Sequence, residues 1–215
     1  MLEKIFKDKE IEAIINNVNN VIVINNCGCH GMGHVTRVMN YVEILLTGIG
    51  ADTHTIELGK VSAYLHDIGA VMGKNGHAER SAEFVDKYLT RLGICEEDKN
   101  MIVSAIREHS NGVETYIGAA LTFADKIDMQ KERMLRFKED NYFHDNIKHI
   151  LNVELAIDEK NITVNIVTDG FFDYNSLNDY SKMITKPKEM AKYLQRNCIF
   201  TIDNKVVDLY DMVIN

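Results

Sequence analysis

Histidine and aspartate side chains that can bind metal ions recur through the first two thirds of the chain. Two of them, His66 and Asp67, are adjacent near the end of the apolar run AYLHDIGA, residues 63–70. Neighbours on one helix face lie three or four positions apart, so both can serve one centre only at a helix end. Helices that converge imidazoles and carboxylates on one point build di-metal sites. The other candidates lie on separate predicted helices or at their ends: His34, His77, His109 and Asp125.

Apolar residues at helical spacing predict the elements that carry these side chains. Predicted helices cover 3–17, 34–47, 54–68, 77–92, 96–109 and 115–138, with Asp125 in the middle of the last. The stretch NNVNNVIVINN, residues 16–26, is ambiguous, because asparagine disfavours helix whereas VIVI favours extended chain. The glycines of CGCHGMG, residues 27–33, predict a tight loop. The sequence up to about residue 150 therefore predicts an all-helical bundle.

A different pattern begins near residue 150. Residues 153–167 alternate between apolar and polar side chains around a polar turn at 158–161, which predicts a β-hairpin. A helical stretch follows, interrupted or restarted at Pro187, the only proline, and a second hairpin is predicted around Asp203 and Asn204. The predicted fold is mainly α: a helical bundle over about 1–150 with a small C-terminal α+β (ββαββ) appendage over 151–215. We expect the appendage to serve oligomerisation or specificity.

Composition narrows the classes of function. The chain has 215 residues, 46% of them hydrophobic, and a net charge of −8, which argues against a general nucleic-acid binder. A small phosphorylated ligand remains compatible with this charge, because bound metal cations supply positive charge. No apolar run is long enough to cross a membrane and the N-terminus lacks a secretory signal, so we expect a cytoplasmic protein. Imidazole with carboxylate suits Fe, Mn, Zn, Co or Ni.

The ordered set of candidate ligands resembles the HD-domain superfamily of metal-dependent phosphohydrolases, over residues 28–135. The likeness includes the six-ligand branch that contains bacterial symmetric diadenosine tetraphosphatases, notably in EHSNG and the ADKID helix. It rests on five segments that surround the candidate ligands in order: GHVTRV, LHDIG, NGHAERSA, IREHS and FADKID.

The resemblance implies a metal centre and a reaction. His34, His66, Asp67 and Asp125 match the positions that hold a first metal, and Asp67 would bridge to a second metal held by His77 and His109. The implied cofactor is one or two divalent transition metals, with Mg as a further option. A water or hydroxide between the metals would attack a phosphate ester in line. The implied partner is a small phosphorylated substrate, a nucleotide foremost, and a homo-oligomer is compatible with the sequence.

Other residues are candidates for contacts to the substrate. Many family members read HDIGK, whereas this chain has Ala70 in place of the lysine, and Lys74 is a candidate substitute. His30 is assigned an ordinary structural role, although it is close enough in sequence to line the pocket. Glu108 is predicted to orient an imidazole or to act as a general acid. Beside Asp67, the predicted catalytic residues are Glu79 and Lys126, and the predicted substrate contacts are Arg37, Lys74, Arg80 and Arg133.

Two alternatives remain open at this point. The same six-ligand arrangement resembles the diiron site of the myo-inositol oxygenase branch, where oxygen carries out an oxidation. A non-catalytic HD-type module that binds a nucleotide for signalling is the other. The NGHAERSA and EHS segments favour hydrolysis, and the intact ligand set argues against a non-catalytic module.

Overall fold

The computed structural model describes residues 2–24, 29–134, 146–173 and 181–207. It confirms the mainly α fold with a small C-terminal ββαββ unit. Short 3-10 helices at Leu2–Lys7, Ile68–Met72 and Lys131–Met134 supplement the α-helices. The elements in chain order are α1 Lys9–Ile24, α2 Met32–Gly48, α3 Thr53–Leu65, α4 His77–Arg91, α5 Glu96–Glu108, α6 Tyr116–Ile127, β1 Ile150–Ile157, β2 Asn161–Thr168, α7 Ser181–Tyr193, β3 Asn197–Ile202 and β4 Lys205–Val206.

The central helix of the bundle is α3, which contacts α2, α5 and α6. Its last eight residues are buried with one partial exception, so it is apolar on every face near its C-terminal end, as expected of a helix surrounded by others. Asp52 begins α3 by accepting a hydrogen bond from the Thr55 backbone N–H at 2.7 Å. Fully buried side chains that join the helices include Leu46 of α2, Leu58 of α3 and Phe123 of α6.

The helices differ from the sequence prediction at several points. Helix α1 continues through the ambiguous asparagine-rich stretch to Ile24, since its apolar face packs on the bundle. Helix α6 ends at Ile127, so Asp125 lies in its last turn rather than its middle; residues 135–138 of the predicted helix lie outside the described part. Helix α7 continues through Pro187, where buried side chains such as Met190 and Ala191 offset the lost backbone hydrogen bond.

The C-terminal sheet has the strand order β1-β2-β3-β4. Strands β1 and β2 form an antiparallel hairpin in which Ile157 pairs with Ile162, and β3 and β4 form the second predicted hairpin. Strands β2 and β3 are parallel, as the intervening α7 permits. Asp203 and Asn204 adopt positive φ angles of 49° and 63°, as a two-residue hairpin turn requires. Residues 208–210 of the predicted hairpin lie outside the described residues.

Hydrogen bonds connect the bundle with the sheet. The Tyr41 hydroxyl of α2 donates to the Val153 carbonyl at 3.1 Å and accepts from Gln130 at 3.0 Å. Gln130 also donates to the Asn152 side chain at 3.0 Å. The two parts share one apolar core, and the division at residue 150 stays a prediction.

Two further observations concern the described part of the chain. None of its helices has the length and apolarity that a bilayer crossing requires. Cys29, Cys95 and Cys198 are free thiols, and burial raises the pKa of Cys198 to about 12. Cys27 lies outside the described residues.

Candidate metal centre

His66 and Asp67 can reach one point because helix α3 ends just before them. Helix α3 ends at Leu65, and Asp67 leaves helical geometry with φ −104° and ψ 7° before the 3-10 segment Ile68–Met72. This turn brings His66 Nε2 to 3.2 Å from Asp67 Oδ2. The site therefore lies at the end of the central helix, as the spacing requires.

The two carboxylate oxygens of Asp67 face two different groups of histidines. Its Oδ2 lies 3.2 Å from His66 Nε2 and 3.6 Å from His34 Nε2. Its Oδ1 lies 3.1 Å from His77 Nε2 and 3.8 Å from His109 Nε2. Asp67 thus joins two sets of nitrogen donors through its two oxygens.

Asp125 completes the first of these sets. From the last turn of α6, its Oδ1 lies 3.4 Å from His34 Nε2 and 4.0 Å from His66 Nε2. The structure therefore brings together all six residues whose order suggested a metal site, from α2, α3, α4, α5 and α6. Four of the six side chains are at most 4% exposed, whereas those of Asp125 and His77 are 11% and 13% exposed.

The hydrogen bonds of the four imidazoles fix which nitrogen faces the centre. Nδ1 of His66, His77 and His109 lies 2.8, 2.7 and 2.5 Å from backbone carbonyl oxygens, which accept only, so each Nδ1 carries the proton. His34 Nδ1 likewise donates to an Asp128 oxygen at 2.6 Å. Each Nε2 therefore presents a lone pair to the cluster, and a partner at the other nitrogen is the usual arrangement of a metal-binding histidine.

This donor set fits divalent metal ions. His34 Nε2 lies 3.2 Å from His66 Nε2, and His77 Nε2 lies 3.0 Å from His109 Nε2. Facing lone pairs repel each other unless a cation lies among them. Several groups of three donors, such as His34, His66 and Asp125, have all their ligand atoms within 4.8 Å of one another. Imidazole and carboxylate together match Fe, Mn, Zn, Co or Ni.

Electrostatics favours the ligating forms of Asp67, Asp125 and His109. Burial opposes ionisation of Asp67 and Asp125, but neighbouring imidazoles, with Lys126 for Asp125, hold the pKa of each carboxyl well below its usual value. Burial lowers the pKa of His109 to about 3. For His66, burial lowers the pKa, but the adjacent carboxylate of Asp67 outweighs this effect and the pKa is raised. Charged carboxylates and neutral imidazoles are the forms that bind metals.

Asp128 is a residue that the sequence patterns did not reveal. It is buried directly after the end of α6. Burial alone would raise the pKa of its carboxyl, but His34 and two arginines outweigh this effect and hold the pKa far below its usual value. Arg37 donates to it from Nε at 2.6 Å and from a terminal nitrogen at 3.0 Å, and Arg133 donates at 3.3 Å. Asp128 therefore orients His34 and neutralises two cations. Its spacing of three from Asp125 on a predicted helix was the available signal.

His30, for which the sequence predicts an ordinary structural role although it is close enough in sequence to line the pocket, lies in the cluster. Its Nδ1 lies 2.7 Å from Asp67 Oδ2, and the residue is 6% exposed. Burial, followed by the charge of Arg133, lowers its pKa to about 4. The sequence signal for this role is that His30 lies four residues before His34, just before the start of α2, where a helical spacing would place both side chains on one side.

Two predicted cations lie at the edge of the cluster. Lys126 Nζ is 2.6 Å from Asp125 Oδ2, and this carboxylate raises the lysine pKa. Arg133 approaches His34 closely and lies 3.4 Å from His30 Nε2. Arg37 lies on the Nδ1 side of His34, where its guanidinium is paired with Asp128. The side chains of Lys126 and Arg133 are 32% and 11% exposed, which leaves them accessible to an anion at this edge.

The two other candidate contacts to the substrate, Lys74 and Arg80, lie elsewhere. The Lys74 side chain is exposed, and only its backbone carbonyl reaches the site, as acceptor for His77. Arg80 donates to the carbonyls of Gly69, Gly73 and Asn75, so it fastens the loop rather than facing the cluster.

The two predicted acidic residues are also directed away from the imidazoles. Glu79 forms an exposed ion pair with Arg107 at 3.0 Å, because it points to the outer face of α4. Glu108 accepts from the backbone N–H groups of Glu114 and Thr115 at 3.1 and 3.0 Å, and so holds the start of α6.

Gly69 of the LHDIG segment permits the close approach that seats His77. A Cβ at this position would lie 2.5 Å from the Ser81 backbone nitrogen and 2.6 Å from the His77 carbonyl oxygen. The Gly69 N–H donates to Ser81 Oγ at 2.9 Å, which joins the segment after Asp67 to the helix that His77 begins. Only a residue without a side chain fits here.

Replacing Gly69 with alanine should lower the free energy of unfolding by about 1–3 kcal/mol, because backbone atoms on two elements must move apart. The separation should also move His77 away from Asp67. Urea unfolding of the metal-free protein measures the loss. Gly112→Ala is the control, because a Cβ there meets no atom within 4 Å, and it should lose no stability. Equal stabilities for the two variants would contradict this interpretation.

Two comparisons with known proteins find matches to this chain. The model of the HD domain family matches residues 31–142, just over half of the chain. A crystal structure described as a predicted HD superfamily hydrolase, from an uncultured Thermotogales bacterium, is 24% identical with a TM-score of 0.46. The match covers 57% of this chain and 68% of that one. A search of curated proteins finds no match.

Proposed function

The chain belongs to the HD domain family, and from that premise we propose that it is a metal-dependent phosphohydrolase. Its substrate would be a phosphomonoester or phosphoanhydride of a small molecule, with a nucleotide as the first class to test. The observation that supports this most is Asp67, whose two oxygens face two separate pairs of histidines. The nucleotide is the class implied by the resemblance in EHSNG and ADKID.

The six clustered residues would hold the metals in two sets that share Asp67. His34, His66 and Asp125 belong to the first set, and His77 and His109 to the second. When bound, two divalent ions acidify a water molecule towards pKa ~7 and stabilise charge on phosphate oxygens. The Nδ1–H bonds of the histidines keep every Nε2 directed inward, so the protein provides the donors without rearrangement.

The charged side chains at the cluster edge favour a phosphate-containing substrate over a neutral polyol. Lys126 and Arg133 lie beside the donor atoms and keep part of their surface exposed. Arginine and lysine bind phosphate oxygens by charge-assisted hydrogen bonds. Lys126 also neutralises Asp125, which reduces the repulsion that the carboxylates would exert on an incoming anion. An oxygenase acting on an uncharged substrate has less need of these charges.

The experiment measures inorganic phosphate released from nucleoside mono-, di- and triphosphates, and nucleotide products released from dinucleoside polyphosphates by chromatography, in Mn, Fe, Co, Zn or Mg. We expect release that depends on the metal and stops with a chelator. Saturable nucleotide binding without turnover in all five metals would overturn the proposal in favour of a binding module. Oxygen-dependent consumption of a polyol by the iron-loaded protein, without phosphate release, would overturn it in favour of an oxygenase.

A further inference from the structure

His30 lies beside the proposed metal centre but outside the six-residue set. It also precedes residue 31, where the match to the family model begins. Its Nδ1 lies 2.7 Å from Asp67 Oδ2, closer than His66 Nε2 at 3.2 Å or His34 Nε2 at 3.6 Å. A buried imidazole at this distance from a carboxylate makes a charge-assisted hydrogen bond.

Helix α1 holds His30 in this place. The backbone N–H of His30 donates to Asn19 Oδ1 at 2.7 Å. A Cβ on the next residue, Gly31, would lie 2.2 Å from Asn19 Nδ2, so the absence of a side chain at Gly31 admits this close approach. Val18 of the same helix packs against Ala70, the position where many family members carry lysine. Helix α1 thus covers both sides of the His66–Asp67 turn.

The partners of His30 decide which nitrogen carries the proton. Asp67 Oδ2 is an acceptor, so Nδ1 is the donor toward it. Arg133 donates only, so His30 Nε2 accepts from its terminal nitrogen at 3.4 Å. His30 Nδ1 therefore donates to the carboxylate that joins the two ligand sets, whereas the Nδ1 atoms of His66, His77 and His109 donate to backbone carbonyls. His30, His34 and Asp67 also have donor atoms within 4.8 Å of one another, so the test has to distinguish positioning by His30 from ligation by it.

We propose that His30 is a positioning residue, which fixes Asp67 Oδ2 and thereby holds Oδ1 toward His77 and His109. The inference rests on the proposed metal centre. Without the His30 N–H, the Asp67 carboxylate is free to rotate about its Cβ–Cγ bond. Both of its oxygens could then bind the first metal. His77 and His109 would then lose their shared carboxylate. Loss of His30 should therefore weaken the second metal more than the first.

The test compares His30→Ala with His30→Asn, because the asparagine amide carries an N–H close to the place of Nδ1. Metal affinities are measured by calorimetric titration of Mn into metal-free full-length protein. In His30→Ala, the second affinity should fall about 10–100-fold, as expected when a hydrogen-bonding partner of a metal ligand is lost, with the first changing far less. His30→Asn should recover most of the loss. His54→Ala, an exposed histidine paired with Asp98, is the matched control.

Two results would overturn the inference while leaving the proposed function standing. One is His30→Ala that binds both metals with wild-type affinity. The other is a loss of affinity in His30→Ala that affects the first metal alone and that His30→Asn does not restore. This result would mean that His30 is a ligand of the first metal. Wild-type protein that binds no metal would remove the proposed function itself. Far-UV circular dichroism of the metal-free variants checks folding, and Asn19→Ala, which acts through the His30 backbone, should weaken the second metal in the same direction by a smaller factor.

Discussion

Asp67→Ala is expected to remove both metal ions and to lower phosphate release below about one thousandth of the wild-type rate. The reason is geometric, because each oxygen of Asp67 faces a different pair of histidines. Loss of this one side chain therefore removes a ligand from both sets at once. Elemental analysis and the phosphate release assay on the same preparation measure the two effects.

The control for this variant is Asp98→Ala. Asp98 forms an ion pair with His54 at 2.7 Å on the surface, near the opposite end of α3 from His66 and Asp67. Its removal should change activity and metal content little, since exposed ion pairs contribute about 0–1 kcal/mol. Full activity in Asp67→Ala would contradict the assignment of the cluster as the catalytic centre.

Asp128→Asn is expected to produce the largest loss of stability and a loss of metal affinity together. The change leaves the guanidinium of Arg37 without the anion that it contacts at 2.6 Å, and Asp128 is fully buried. Breaking a buried ion pair costs about 3–5 kcal/mol, and the partial exposure of Arg37 favours the lower end. His34 loses a charged acceptor at Nδ1, which should weaken the first metal about 10–100-fold. Urea unfolding of the metal-free protein and calorimetric titration measure these effects.

The stability effect of Asp128 should depend on pH in a defined direction. Its folded-state pKa lies far below the usual value, so its contribution is fully present above the unfolded pKa of about 4 and is lost as pH falls below it. The stability difference between wild type and Asp128→Asn should therefore shrink below about pH 4. Asp98→Asn is the matched control, with an expected loss of at most about 1 kcal/mol. A difference that grows at low pH would contradict the proposed role.

The order and flanking residues of the six side chains predict that they serve one site, and the structure places these side chains together. The helix-end position of His66 and Asp67 follows from their adjacency, because two neighbours on a continuous helix cannot face one point. Hydrophobic periodicity also located the helices that carry His34, His77 and His109. These predictions succeed because they depend on local spacing, which the sequence contains directly.

The partners of the ligands were harder to predict, because they depend on where elements end and meet. Asp128 acquires its role because α6 stops at Ile127, whereas the periodicity suggested a longer helix. His30 is placed by the packing of α1, whose asparagines gave an ambiguous signal. Glu79 lies two residues after His77 and therefore faces another direction on α4. Arg80 lies three residues after His77, but carbonyl groups of the preceding loop hold its guanidinium.

The measurement that tests the central claim most directly is the metal content per chain. Protein purified without chelator and without oxygen, then given Mn or Fe, would be analysed for metal by elemental analysis. Asp67 facing two histidine pairs predicts about two metal ions per chain in the wild type. A content close to one ion at saturation would contradict the bridging role of Asp67, and no retained metal would contradict the centre as a whole.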